Sequence, residues 1–100
     1  MSGPHKIIDA RRIFWLVRQV RVAVQARDSV ERPGALLREM IVAGADDFES
    51  ALHALSLGQA AIIERTQFDN WDAFQERATR SDVMIVLEHM EETAESMLGE

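Results

Sequence analysis

Chemistry in this chain would have to come from its imidazoles and carboxylates. His5, His53 and His89 are the only histidines, and the absence of cysteine removes thiolate nucleophiles, disulfides and thiolate metal sites. His5 falls in a start read as flexible over residues 1–6, which leaves two imidazoles. Glu49 lies four residues before His53 and Glu92 three after His89, so two helices could each turn a Glu/His pair toward one cation. A helical di-iron centre instead needs Glu-x-x-His on two helices plus further glutamates, and no Glu-x-x-His occurs. Ser29, Ser50, Ser56, Ser81 and Ser96 lack a Gly-x-Ser-x-Gly setting, and no glycine-rich loop can cradle a phosphate. The expectation is a non-enzyme with no catalytic, cofactor or metal residues.

The stretch His53-Ala54-Leu55-Ser56-Leu57-Gly58 resembles the His-x-Leu-Lys-Gly core of histidine phosphotransfer domains, over those residues alone. The resemblance implies a helical bundle with His53 as phosphoryl acceptor. It departs from the pattern in lacking the lysine and in placing glycine one position late.

The elements that would carry these residues read as helices. The apolar pattern from Ile7 to Val24 runs without a turn signal, which is long for a strand and ordinary for a helix, although Val20, Val22 and Val24 also alternate as a strand would. Ile13, Leu16, Val17, Val20, Ala23 and Val24 form its core stripe. Glu31-Arg32-Pro33-Gly34 is the clearest break. Pro33 suits a first helical turn, Leu36, Leu37, Met40 and Ile41 follow at helical spacing, and Gly44 can end the segment.

Asp46 with Glu49 has the spacing of a capping box for a helix near 47–65, and Phe48, Ala51, Leu52, Leu55, Gln59 and Ile62 are its expected inward face. Beside that face, Ala51, Ala54, Gly58 and Ala61 make a ridge of small side chains where a second helix can approach. Phe68, Trp71, Phe74 and Ala78 suggest a short aromatic helix. Ser81 is the expected cap of a last one, with Val83, Val86, Leu87, Met90, Ala94 and Met97 inward. Residues 1–100 thus read as one all-α domain, a small bundle of four or five helices with a long N-terminal helix.

Charge is segregated along the chain. Residues 1–34 hold seven Lys/Arg against three acids, a net +4, whereas residues 35–100 hold four arginines against fourteen acids, a net −10. The separation gives the basic first third an electrostatic reason to dock on the rest, on a second copy or on an acidic partner. At 100° per residue, Trp15 and Val22 fall opposite the core stripe of the first helix, among Arg11 and Arg18.

Trp and Arg are enriched at interface hot spots. The face formed by Arg11, Trp15, Arg18, Arg21 and Val22 is therefore the expected protein interface, engaging a second copy or another protein as a small adaptor or inhibitor. The bland counterpart is that Trp15 is covered by another helix and the arginines pair with Glu88, Glu91, Glu92 and Glu95. Nucleic-acid binding through Arg11, Arg12, Arg18, Arg21 and Arg27, with Trp15 stacking on a base, ranks second, and no helix-turn-helix, zinc-finger or ribonucleoprotein signature accompanies it. A metal or phosphotransfer bundle centred on His53 ranks third. No apolar run, Ile13–Val17 included, approaches the roughly 20 residues of a membrane span, so the chain is expected to be soluble and cytoplasmic, without membrane partners.

Overall fold

A computed structural model describes residues 3–27 and 31–98, with side chains from Ala10 onward. It contains α1 (Gly3–Gln25), α2 (Pro33–Gly44), α3 (Phe48–Arg65), α4 (Trp71–Arg77) and α5 (Arg80–Leu98), with no strand among the described residues. The start read as flexible lies outside the described side chains, and helical backbone runs from Gly3.

α1 is helical through its valine-rich stretch because the stripe it buries has helical period. Ile13, Leu16, Val17, Val20 and Val24 are all buried, and Trp15 and Val22 point away from them. Helical packing outweighs the strand preference of the individual valines. α1 and α5 run antiparallel as the main pair of the bundle: Arg21 reaches Glu88 and Glu91, Arg18 reaches Glu91, and Arg80 donates to the carbonyls of Val24 and Gln25 at 3.3 and 3.0 Å. The last turn of α1 carries no basic residue of its own. Arg80 supplies that charge from α5, satisfying carbonyls that lack an intrahelical donor.

Pro33 opens α2 and Gly44 closes it, with Leu37 and Ile41 fully buried. α3 departs from the expected orientation. Its buried face is Ser50, Ala51, Ala54, Gly58, Ala61 and Ile62, while Phe48 and Leu52 stand in solvent. The ridge of small side chains wins because close approach is what it permits: a β-carbon on Gly58 would lie 2.5 Å from the Trp71 ring, whose Nε1–H donates to the Leu55 carbonyl at 2.9 Å. α4 is only seven residues long and is held by this docking, with Phe68, Trp71, Phe74 and Ala78 all buried.

Two helix starts lie beside the expected residues. Asp47, not Asp46, caps α3, accepting from the Ser50 backbone N–H at 2.8 Å, while Asp46 faces Arg12. Ser81 does not cap α5. Thr79 and Asp82 do so reciprocally, Thr79 N–H donating to the Asp82 carboxylate at 2.9 Å and Asp82 N–H to Thr79 Oγ1 at 3.2 Å. Met97, expected inward, is 43% exposed at the end of α5, beyond the last core contact at Ala94.

The hydrogen bond from Ser50 N–H, reinforced by the charge of Arg12, holds the Asp47 carboxyl below its ordinary value of 3.8. A carboxyl depressed on folding contributes stability that is present above its unfolded value and lost as pH falls through its folded one. Asp47→Ala should therefore lower the melting temperature at pH 7, by an amount that shrinks as pH drops below about 4. Asp47→Asn, which keeps the accepting oxygen, should melt close to wild type at pH 7 and lose that pH dependence. Thermal melts of the three proteins across this range check both expectations.

Candidate interaction surface

Between Arg11 and Ala26 the solvent side of α1 is a narrow strip. Arg11, Trp15, Gln19, Val22 and Ala26 follow one another at spacings of four, four, three and four, an arc about 80° wide, and all are exposed. Trp15 is 57% exposed and Val22 66%. No acidic residue occurs between Ala10 and Arg27.

Arginine–carboxylate pairs frame the strip on both sides. Toward α3, Arg12 lies 4.0 Å from Asp46 and 3.5 Å from Asp47. Toward α5, Arg18 lies 3.8 Å from Glu91, and Arg21 pairs with Glu91 and with Glu88 at 3.7 Å. Such surface pairs add little stability, but they fix where the guanidinium groups sit. Arg18 is held further by the rings beneath it, its guanidinium carbon 5.6 Å from the Phe14 centroid and 5.9 Å from that of Trp15. Phe14 meets Trp15 edge to face at 5.7 Å. The indole thus has the Arg18 guanidinium over its ring and Phe14 edge to face beside it, and still stands more than half exposed.

At the Arg11 end the strip becomes a concavity of about 530 Å³, walled by Trp15, Leu16, Gln19 and Gly44 and rimmed by Arg11, Arg12 and Asp46. Its depth at Gly44 depends on the missing side chain, since a β-carbon there would lie 2.7 Å from Leu16 Cδ1. Arg11 makes no ion pair with any described residue.

The structure brings together four of the five expected interface residues, Arg11, Trp15, Arg18 and Val22. The fifth, Arg21, is half-buried and serves as a tie to α5. Trp15 is not covered by another helix, whereas Arg18 and Arg21 do pair with Glu88 and Glu91, so the bland expectation holds for those two arginines and fails for the tryptophan. No sequence pattern singles out Arg12, Leu16, Gln19 and Gly44 as lining the concavity. The acidic Asp46-Asp47 doublet was the one local hint that Arg12 has partners in the next helix.

The imidazoles lie elsewhere. His53 is on the exposed side of α3. His89 faces α3 instead of Glu92, accepting at Nδ1 from Arg65 Nε at 3.2 Å with its Nε2 3.8 Å from Glu64. No group of three or more His, Asp or Glu residues among those described could hold a metal ion, and no described helix is long and apolar enough to cross a membrane. No protein-family profile, curated protein or solved structure matches the chain.

Proposed function

We propose that the protein is a cytoplasmic, non-enzymatic interaction module that self-associates or acts as a small adaptor or inhibitor through the Trp15 strip of α1. The observation that carries this reading is the exposure of Trp15 and Val22 on one arc, between arginines already held in place. An indole left in water beside a concavity offers a large apolar contact at little cost in side-chain ordering, and braced arginines around it are the composition of a hot spot. Nucleic-acid binding through the same face is the weaker reading, because Arg12, Arg18 and Arg21 are each beside a carboxylate that would have to be displaced or would repel phosphate.

Sedimentation equilibrium over a wide concentration range tests the self-associating form. Wild type should run as a dimer or larger species. Trp15→Asp should shift it to monomer by more than about thirtyfold in Kd, the effect of a residue contributing 2 kcal/mol at an interface. Melted at concentrations below the dimer Kd, the two proteins should differ by no more than a few degrees, since substitutions at exposed positions move folding stability by only about 0.5 kcal/mol. A wild type that stays monomeric throughout would remove self-association.

A further inference from the structure

The α1 strip has a counterpart on the neighbouring helix. Along α5, Ile85, Glu88, Glu92 and Glu95 recur at spacings of three, four and three, and all are exposed, Ile85 by 42%. Glu92 and Glu95 make no ion pair with any described residue. One helix therefore shows a cationic and apolar arc, and its antiparallel neighbour an anionic arc with an apolar residue at one end. Arg11 to Val22 and Ile85 to Glu95 have nearly the same length, about 16 Å at 1.5 Å per residue.

The register within one chain supplies the second argument. Arg21 lies level with Glu88, Arg18 with Glu91, and Arg80 with the end of α1. By the same count Arg11 is level with Leu98, three residues beyond Glu95, and Val22 with Leu87, two residues from Ile85, offsets of less than one helical turn. A twofold axis parallel to these helices, placed over the α1–α5 seam, preserves levels and exchanges sides. It sets each α1 arc against the α5 arc of the other copy: Arg11 comes within a turn of Glu95, Val22 within a turn of Ile85, and Trp15, level with Ala94, lies between Glu92 and Glu95 with their aliphatic stems. Direct α1-to-α1 pairing would instead bring two acid-free arginine faces together, which like-charge repulsion opposes.

We propose that the occupant of the Trp15 strip is the Ile85–Glu95 arc of α5 in a second copy, giving a symmetric dimer with a central layer of four helices. The proposal rests on the interaction reading above in its self-associating form. It explains the charge segregation of the sequence: the basic first third meets the acidic last third twice, once within the chain and once between chains.

The test is a charge exchange followed by sedimentation equilibrium at low and high salt. Arg11→Glu and Glu95→Arg should each weaken the dimer by about tenfold or more, because each places like charges opposite one another at two symmetric points. The double variant Arg11→Glu/Glu95→Arg should recover most of the wild-type affinity, which no purely structural role of either residue would produce. Added salt should weaken the wild-type dimer. A dimer lost with Trp15→Asp but indifferent to the single charge reversals, or not restored in the double variant, would overturn the α5 assignment and leave the Trp15 reading standing. A dimer that survives Trp15→Asp and is lost with Leu52→Asp would move the interface to the exposed Phe48 and Leu52 of α3 and overturn both, whereas a wild type that is monomeric throughout would overturn the α5 assignment together with the self-associating form of the reading.

Discussion

Phe74→Ala is expected to remove about 3–5 kcal/mol of folding stability, the range for deleting a fully buried aromatic ring from a core. The reason is positional as well as volumetric. α4 is seven residues long, too short to be helical in isolation, and it stays in place because Phe74 and Trp71 anchor it. Phe74 sits edge-on to both Phe68 and Trp71, with centroids 5.8 and 5.7 Å away, so truncation forfeits two ring contacts together with the transfer of the ring from water. A domain of this size commonly holds about 5–15 kcal/mol in all, and the loss would take a large share of it. Urea unfolding followed by circular dichroism should show a large fall in midpoint with an unchanged slope, and Trp71 fluorescence should report the same transition. A midpoint within a few tenths molar of wild type would mean that α4 is not anchored as described.

The parts of the fold legible in the sequence are those where one residue type decides. Pro33 opens α2 through its preset φ and Gly44 is the helix's last residue, and the α1 stripe is regular enough that both its buried side and its exposed Trp15 side follow from the helical period. α3 is rotated from the face that its hydrophobicity predicts, for a definite physical reason. Ranking residues by hydrophobicity turns Phe48 and Leu52 inward. The neighbours, however, approach along Ala54, Gly58 and Ala61, where the backbone is thinly covered and Trp71 can lie against it. Shape complementarity decided the buried face, and hydrophobicity alone does not report shape.

The caps shifted by one or two residues for a related reason. Asp46 and Asp47 are interchangeable as local caps; the helix uses Asp47, and Arg12, thirty-five residues before it in the chain, lies against both carboxylates. The site shows the same division. Arg11, Trp15 and Val22 were readable because they share one helix, whereas the concavity needs Gly44 and Asp46 from the α2–α3 junction, and no local pattern specifies that meeting.

Gly34 should be the least replaceable glycine among the described residues. A β-carbon there would sit 2.2 Å from the carbonyl oxygen of Phe74 and 3.0 Å from Cα of Gln75, so both obstacles are backbone and neither can rotate aside. To admit a methyl group, α2 must move off α4, opening a gap beside the fully buried Leu37, one turn farther along α2. Against this stands a gain of up to about 1 kcal/mol, the helix-propensity advantage of alanine over glycine. Overpacking of about 1–3 kcal/mol, and more where backbone is the obstacle, outweighs that gain, so Gly34→Ala should destabilise the protein.

Gly44→Ala is the informative control. Its nearest obstacle, at 2.7 Å, is Leu16 Cδ1, the tip of a side chain that can turn, and no backbone atom stands closer. The same added methyl should therefore cost little stability at Gly44 while displacing Leu16 into the concavity beside Trp15. Denaturation midpoints of the two variants should differ widely, with Gly34→Ala far the lower. Sedimentation should separate them in the opposite sense: Gly44→Ala should weaken the proposed dimer by narrowing the concavity, and Gly34→Ala, studied at a temperature where it remains folded, should leave the α1 strip and the dimer intact. Equal stability of the two variants would show that α2 and α4 do not meet backbone to backbone at Gly34.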